Sequence, residues 1–436
     1  MSDPTTARRL APVADEARMT PPMSRAAPLR AEVISTLGAL EALRPEWQRL
    51  NDEARAGTMF LGYEWLRPWY DHFGAPAGRE LSLIAVRDGQ GALVGLWPLM
   101  AERIKVAGIE VRRIAYLGDG ATGCDHLDVL AAKGREGEVL SACLAKLDDL
   151  EWDVLDLDGM QRDCPTVIAL AERHPANREV GGVVRDGRLR FVCPHIPLTG
   201  TYDDFLGGLG RRENLKRREK WLQRQPGVSF EIATTPEATP RAMDQFFQLH
   251  DARWAAEGGS DGLPDARFPP FHRAATMLLA EQGKLRISTL LAARRPVASV
   301  YGVTHGKTFF YYQSGYEPRW AGKSVGLILL ARTVKDAFEA GLRDFDFLRG
   351  NESYKTQWAR AERWTVQLRL WRGARGRAAR TAEALTKGAR EAFKAALPEA
   401  IKQGVKRARR VARSEGPLSQ RLLAAFSAAQ GTGDER

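Results

Sequence analysis

The chain has 436 residues, 44% hydrophobic and 27% charged, with a formal net charge of +11. This is the composition of a globular protein long enough for two domains. No stretch approaches the roughly 18 consecutive apolar residues of a membrane-spanning helix. The four cysteines have the spacing of neither a zinc site nor a disulfide framework. We therefore expect a protein of the reducing cytoplasm, with no metal site.

The positive charge is concentrated at the C-terminal end. Residues 372–436 contain 15 Lys/Arg and 6 Asp/Glu, whereas the rest of the chain contains 50 and 48. This basic tail has helical periodicity, and three roles are open to it: contact with an anionic membrane, a solubilising extension, or non-specific binding of polyanions. Residues 1–28 are rich in Pro, Ala and Arg and lack the apolar core of a secretory signal, so we expect a disordered leader.

The first half begins with a short strand, an amphipathic helix with Leu40, Leu43, Trp47 and Leu50 on one face, and a short aromatic helix. A hairpin with the turn signal Asp-Gly-Gln-Gly at residues 88–91 follows. A further strand, a helix over GEVLSACLAKLDDLEW and an alternating strand, DVLDLDGM, complete this half.

The same order recurs in the second half. A basic helix, RRENLKRREKWLQ, precedes a strand, two helices, three strands joined by tight turns, a helix that ends at Gly341, the strand DFDFL, a short helix and a last strand. The pattern predicts an α/β (α+β) fold of two tandem mixed-sheet domains. We expect them at residues 29–195 and 196–371, followed by the basic helical tail.

A loop of the second half carries the clearest candidate binding site. A strand leads into this loop, which contains Arg319, Gly322, Lys323 and Gly326, and a helix begins at once. Backbone N–H groups at a helix start, with glycines for close approach and cations beside them, suit a pyrophosphate. A Gly-capped turn without a ligand is the alternative. The Gly-Lys-Ser triplet is not a Walker P-loop, because Glu317 occupies the place of the first glycine.

The stretch DFDFLRGNESYKTQWA, at residues 344–359, follows that helix. The order of strand, Gly-rich turn, helix, strand and short helix with Tyr resembles the acyl-CoA-binding core of the GNAT acetyltransferases. The stretch itself is similar to the signature of their CelD/BioF-like branch, which is related to the FemAB aminoacyl transferases. Asn351 stands where that branch more usually has Asp. Further motifs extend the resemblance over roughly residues 29–371.

The resemblance implies two tandem GNAT-like domains, the second of which binds acetyl-CoA or another acyl-CoA as co-substrate. The cofactor-binding residues that it implies are Gln313, Arg319, Gly322, Lys323, Ser324 and Gly326. The corresponding turn of the first half, LGDGATGCDHLD, has no Lys or Arg. An anion would be held poorly there, so we expect the first half to be structural or acceptor-binding.

Acyl transfer from a thioester needs a deprotonated acceptor and a proton for the departing thiolate. In GNAT enzymes a Tyr on the helix after the fifth strand commonly donates this proton, and Tyr354 has that place. Its alternative role is to pack the helix. Asp346 and Glu352 are candidate bases, and the alternative for both is an ion pair with Arg349.

Further residues are candidates for acceptor binding. They are Arg217, His250, Arg253, Arg349 and Lys355. A solvated helix face is the alternative for the basic helix that carries Arg217, a structural hydrogen bond is the alternative for His250, and a solvated side chain is the alternative for Lys355. The motif CDHLD at residues 124–128 suggests metal ligands, but nothing nearby completes a shell.

Together these features predict an acyl-CoA-dependent N-acyltransferase, cytoplasmic or at the inner face of the membrane. The resemblance implies a small-molecule or lipid-linked amino-sugar acceptor of exopolysaccharide or cell-envelope synthesis. One alternative is a FemAB-like transferase that uses charged tRNA, with nucleic acid held by the basic helix and tail. The other is a non-catalytic scaffold whose GNAT folds have decayed.

Overall fold

The computed structural model describes residues 28–120, 122–176, 178–256 and 265–396. The predicted leader and the tail beyond residue 396 lie outside the described residues. Within the described part, no helix has the length and apolar character needed to cross a membrane.

The first half contains the predicted strands and helices and adds three further elements. Its elements are β1 (Arg30–Ile34), α1 (Leu37–Ala42), α2 (Arg44–Glu53), α3 (Tyr63–Trp69), β2 (Glu80–Leu81), β3 (Leu83–Arg87), β4 (Leu93–Trp97), β5 (Leu99–Val106), β6 (Ile109–Tyr116), β7 (Leu130–Ala131), α4 (Glu136–Asp148), β8 (Val154–Gln161), α5 (Pro165–Arg173) and β9 (Glu179–Val180). The sequence pattern does not predict β7, α5 and β9.

The second half contains the predicted helices and three-strand run. Its elements are β10 (Val183–Pro197), α6 (Tyr202–Gly208), α7 (Arg212–Gln223), β11 (Ser229–Ala233), α8 (Thr239–Ala256), α9 (Phe268–Glu281), β12 (Leu285–Ala292), β13 (Arg295–His305), β14 (Thr308–Tyr316), α10 (Val325–Glu339), β15 (Asp344–Asp346), α11 (Ser353–Trp358), β16 (Ala361–Arg372) and α12 (Gly373–Ala396).

The strands form two sheets. The smaller has the order β1-β3-β4-β7, and the larger, of twelve strands, has the order β11-β12-β13-β14-β15-β10-β16-β8-β6-β5-β2 with β9 on β10. Each of the two predicted hairpin strands is split into two shorter strands that belong to different sheets. The first is split at Ser82 into β2 and β3, and the second at Pro98 into β4 and β5. Pro98 has no backbone N–H to donate to a sheet. The fold is a mixed α/β fold.

The two halves share the larger sheet. Strand β16 pairs antiparallel with β10 on one side and with β8 of the first half on the other. Strand β10 lies at the predicted boundary between the domains and occupies the middle of the sheet, between β15 and β16. The hydrogen-bonded sheet is therefore continuous across residues 195 and 196.

Among the described strands, each half contains a parallel pair whose members are connected by a helix. In the first half, residues 113–115 of β6 pair with residues 154–156 of β8, and α4 connects them. In the second half, residues 308–310 of β14 pair with residues 344–346 of β15, and α10 connects them. This repeated unit underlies the recurrence in the sequence pattern.

Aromatic packing joins the halves beside the sheet. Trp65 of α3 lies 5.0 Å from Phe271 of α9 and 5.1 Å from Tyr312 of β14, measured between ring centroids. Helix α8 packs against β14 so closely that a Cβ on Gly315 would lie 2.4 Å from the backbone nitrogen of His250. These contacts fix the α8 side of β14, next to the candidate site.

Candidate active site

Strands β14 and β15 separate at the end of the pair from which β14 leads into the Gly-rich loop and α10. They pair over three residues only, and β14 then continues to Tyr316 paired with β13 but not with β15. The β13–β14 ladder contains a bulge, because Tyr301 pairs with Gln313 but Gly302 pairs with Tyr311. Tyr312 is therefore the extra residue, and a bulge of this kind bends the strand and re-aims side chains. The carboxyl ends of the two parallel strands are open, which is where open α/β sheets bind ligands.

The N-terminus of α10 lies directly after β14. Its N-cap residue, Ser324, has φ +60° and makes no capping hydrogen bond with its side chain. The first N–H groups of any helix have no intrahelical acceptor and form the positive end of the helix dipole. In α10 the Ser324 side chain does not supply the missing acceptor. A Cβ on Gly322 would meet nothing within 4 Å, and one on Gly326 would meet only Tyr316, at 3.7 Å. The helix start therefore has open space for an anion.

The basic helix α7, which carries the predicted acceptor-binding residue Arg217, lies beside this helix start. Arg218 donates a hydrogen bond to the hydroxyl of the α10 N-cap residue. The Lys323 ammonium lies 4.9 Å from the ring centre of Trp221. Arg217, Arg218 and Trp221 line a cleft of about 340 Å³ together with Gly322 and Lys323. Arg217 is thus next to the predicted cofactor loop. We name this set, with the α10 N-terminus, the cradle.

The other two predicted cofactor residues, Gln313 and Arg319, are not among the residues that line this cleft. Arg319 is 77% exposed, and its guanidinium donates to the Glu317 carboxylate over 3.1 Å. Gln313 is half-buried on β14, next to the bulge. Gln313 thus lies on β14, one of the two strands that form the open end, whereas the Arg319 side chain extends into solvent.

Tyr354 lies on α11 on the other side of the open end. Its ring centroid is 6.4 Å from that of Tyr311 on β14. Burial raises the pKa of Tyr354 well above its usual value, and the nearby Tyr311 and Glu352 raise it further, against the opposing charge of Arg253. The phenol therefore carries its proton at neutral pH, as a proton donor must.

Lys355 stabilises the turn before α11 through two polar contacts. This side chain is buried, and its ammonium donates to the Arg349 carbonyl over 2.7 Å and lies 3.2 Å from the Glu352 carboxylate. The solvated alternative for Lys355 is therefore wrong. The candidate base Glu352 is itself exposed and pairs with this lysine.

Asp346 is fully buried and surrounded by donors. One carboxylate oxygen accepts from the Leu348 backbone N–H over 2.7 Å, and the other lies 3.0 Å from His126 Nε2 and 2.9 Å from Arg363. Burial alone would raise the pKa of Asp346, but His126 and Arg363 outweigh it and hold the pKa below its usual value. Leu348 has φ +57°, a strained conformation for a residue with a side chain, and this hydrogen bond stabilises it.

Arg349 pairs with the first half of the chain. Asp125 has a fully buried side chain and accepts from the Arg349 backbone N–H and Nε, each over 2.9 Å. The guanidinium also donates to the Cys124 carbonyl and lies 4.4 Å from the ring centre of Phe191. The expected ion pair of Arg349 with Asp346 or Glu352 is therefore wrong. The Gly-rich loop of the first half reaches into the second half and fixes its signature turn.

Sequence reasoning missed Asp125 and His126 as parts of this site. Both belong to the CDHLD motif, whose residue types by themselves suggest metal ligands. Among the described residues there is no cluster of three or more His, Cys, Asp or Glu able to hold a metal ion. The motif instead provides the partners of the buried Asp346 carboxylate and of the partly exposed Arg349 guanidinium.

The two candidates on α8 have different environments. His250 is 1% exposed, and burial lowers its pKa, so the ring is neutral at pH 7. Arg253 lies at the open end: its Nη1 is 3.4 Å from the Ser314 carbonyl, and its guanidinium lies 5.4 Å from the ring centre of Tyr316. The open end is therefore bordered by Tyr311, Tyr354 and Arg253, with His250 packed behind β14.

Residues 210–356 match the sequence model of the acetyltransferase (GNAT) domain, and this range includes the cradle, β14, α10, β15 and Tyr354. Among solved structures, FemX has 11% identity and a TM-score of 0.52, over 78% of this chain and 96% of its own. A conserved protein of unknown function from Bacteroides thetaiotaomicron has 11% identity and a TM-score of 0.48, over 79% and 100%. L-PGS from Bacillus licheniformis has 14% identity and a TM-score of 0.45, over 74% and 95%. No curated protein matches the chain. At this identity the likeness to FemX concerns the fold alone.

Proposed function

We propose that the chain is an acyl-CoA-dependent N-acyltransferase of the GNAT superfamily, because residues 210–356 match the sequence model of the acetyltransferase (GNAT) domain. The observation that carries this proposal is the cradle: an uncapped helix start with open space, flanked by Arg217, Arg218 and Lys323, at the open end of two parallel strands. Such a helix start suits a pyrophosphate because its N–H groups and dipole both favour negative charge.

The chain's own residues fit an acyl-CoA as follows. The N–H groups of α10 bind the pyrophosphate, and Arg218 turns from the Ser324 hydroxyl to a phosphate oxygen. Lys323 and Arg217 add charge from the two sides of the same cleft. When bound, acyl-CoA supplies the thioester whose acyl group passes to the acceptor.

Proton transfer is assigned to Tyr354. We assign to its protonated phenol the transfer of a proton to the leaving thiolate, because the side chain borders the open end beside Tyr311. The turn that leads to α11 is fixed by Asp125 and Lys355, which hold Arg349 at its guanidinium and at its carbonyl. We assign both a positioning role. The low pKa and saturated hydrogen bonds of Asp346 favour a structural role over that of a general base.

For the acceptor we propose an amino sugar or a related intermediate of exopolysaccharide or cell-envelope synthesis, on the strength of the resemblance of residues 344–359 to the CelD/BioF-like branch. The test is release of free thiol from acetyl-CoA in the presence of a panel of amino sugars. Thiol release that depends on the acceptor supports the proposal. Transfer from charged tRNA without any effect of acyl-CoA contradicts it and favours the FemAB-like alternative, whereas CoA binding without turnover favours the scaffold.

Substitutions on α7 test the cradle independently of the acceptor. Arg218→Ala removes a hydrogen bond to a charged group, worth about 1.5–3 kcal/mol, and should weaken acyl-CoA binding roughly ten- to a hundredfold. Arg212→Ala is the matched control on the same helix, because Arg212 pairs with Asp203 and lies outside the cleft. Equal affinities of the two variants contradict the assignment of Arg218.

A further inference from the structure

The helix that follows the last strand, α12, has two unlike parts. Its first part is attached to the sheet: Ala379 is fully buried, Arg380 forms a 2.7 Å ion pair with Asp186, and Arg369 of β16 forms a 2.8 Å ion pair with Glu383. From residue 386 to residue 393 every side chain is exposed. The helix therefore projects beyond the body of the protein.

The projecting part has an apolar face. Leu385 is 70% and Phe393 67% exposed, the highest values among the large hydrophobic side chains that the structure describes as exposed. At 100° per residue, Leu385, Ala389, Ala392 and Phe393 fall within an arc of about 100° on the helix. Lys387 and Arg390 lie outside that arc, toward the opposite side. We name Leu385, Ala389, Ala392 and Phe393 the α12 face.

We propose that the α12 face binds the surface of an anionic lipid bilayer, with the helix lying in the plane of the membrane interface. An interfacial helix combines an exposed apolar face with Lys and Arg on its polar side, and both features are present here. The chain continues for 40 residues beyond α12, and these contain 8 Lys/Arg and 4 Asp/Glu. Anionic lipids attract a basic segment, so this part of the sequence adds an electrostatic contribution to the apolar one.

A nucleic acid fits the face less well. Phosphate groups attract Lys387 and Arg390, but they give no reason for Leu385 and Phe393 to be exposed, since binding to a phosphate backbone depends on charge. Apolar side chains gain free energy when they enter the acyl-chain boundary of a bilayer. This inference does not depend on the proposed acyl transfer.

The test is flotation of the full chain with vesicles of phosphatidylcholine alone or with about 30% phosphatidylglycerol, the anionic lipid that creates the surface potential. We expect binding to the anionic vesicles, weaker binding at high salt, and little binding to the neutral ones. The double variant Leu385→Ser, Phe393→Ser should lower the partition coefficient at least tenfold, because it removes two large apolar side chains from the contact. It leaves every charge of the chain unchanged.

The matched control is Ile168→Ser, which removes an exposed apolar side chain from α5 instead. This variant should bind vesicles as the parent does, and unchanged thermal midpoints will show that all the proteins are folded. Equal binding of the double variant and the parent would overturn the proposal, because the basic tail alone would then explain the binding. Binding of tRNA with vesicle binding absent would overturn it in favour of a nucleic-acid contact.

Discussion

The pair formed by Asp125 and Arg349 gives the most specific stability prediction, since it connects the two halves at the candidate site. Asp125→Asn keeps the shape of the side chain but removes its charge from a fully buried position that accepts two or more hydrogen bonds from Arg349. Breaking a fully buried ion pair by removing one partner costs about 3–5 kcal/mol. The Arg349 side chain is 28% exposed and keeps the Cys124 carbonyl and the Phe191 ring, so we expect a loss of about 2–3 kcal/mol.

The assay is urea unfolding followed by tryptophan fluorescence. The matched control is Asp158→Asn, because Asp158 also accepts a two-pronged contact from an arginine, Arg190, but both side chains are partly exposed, at 17% and 27%. A pair of this kind contributes about 1 kcal/mol or less. If Asp125→Asn lowers the free energy of unfolding no more than Asp158→Asn does, then Asp125 of the first half does not fix the turn that contains Arg349. Turnover of Asp125→Asn should also fall, with acyl-CoA affinity unchanged.

Three further predictions concern other parts of the site. Tyr354→Phe should lower turnover at least tenfold without weakening acyl-CoA binding, because only the proton donor is lost; parental turnover contradicts this role. Asp346 raises the pKa of the buried His126 above its usual value, although burial opposes this, so their pair stabilises the fold below that pKa and less as pH rises through it. The stability difference between the parent and His126→Gln should therefore be largest near about pH 5.5 and shrink toward about pH 9, and a constant difference contradicts the pairing. Gly315→Val should lower the free energy of unfolding by about 3 kcal/mol or more, because its Cβ meets the backbone of His250, and an unchanged urea midpoint contradicts that close approach.

Local patterns predicted most of the elements of the fold. Apolar spacing gave α8, α9 and α10, and turn residues separated the three strands β12, β13 and β14. Strand β10 was missed because residues 185–190 contain three arginines, an aspartate and a glycine, which are typical of a connection. Its partners, β15 and β16, come about 150 residues later in the chain, so their side chains could not inform a local interpretation.

The candidate site likewise has a part that local sequence predicts and a part that it does not. The glycines and Lys323 before α10 indicated an anion site because the signal is contained in a few neighbouring residues. The approach of Arg218 to Ser324 joins residues 106 positions apart, and the pair of Asp125 with Arg349 joins residues 224 positions apart. Such contacts depend on the packing of the two halves, and a single sequence gives no signal for them.

Titration of acetyl-CoA into the full chain by calorimetry tests the central claim most directly. We expect one binding site of micromolar affinity. Arg218→Ala should weaken it, as should Gly326→Trp, whose side chain fills the space next to Gly326, whereas Tyr354→Phe should not. The absence of binding heat up to about 1 mM acetyl-CoA, which corresponds to about −4 kcal/mol, would contradict the assignment of the cradle to an acyl-CoA.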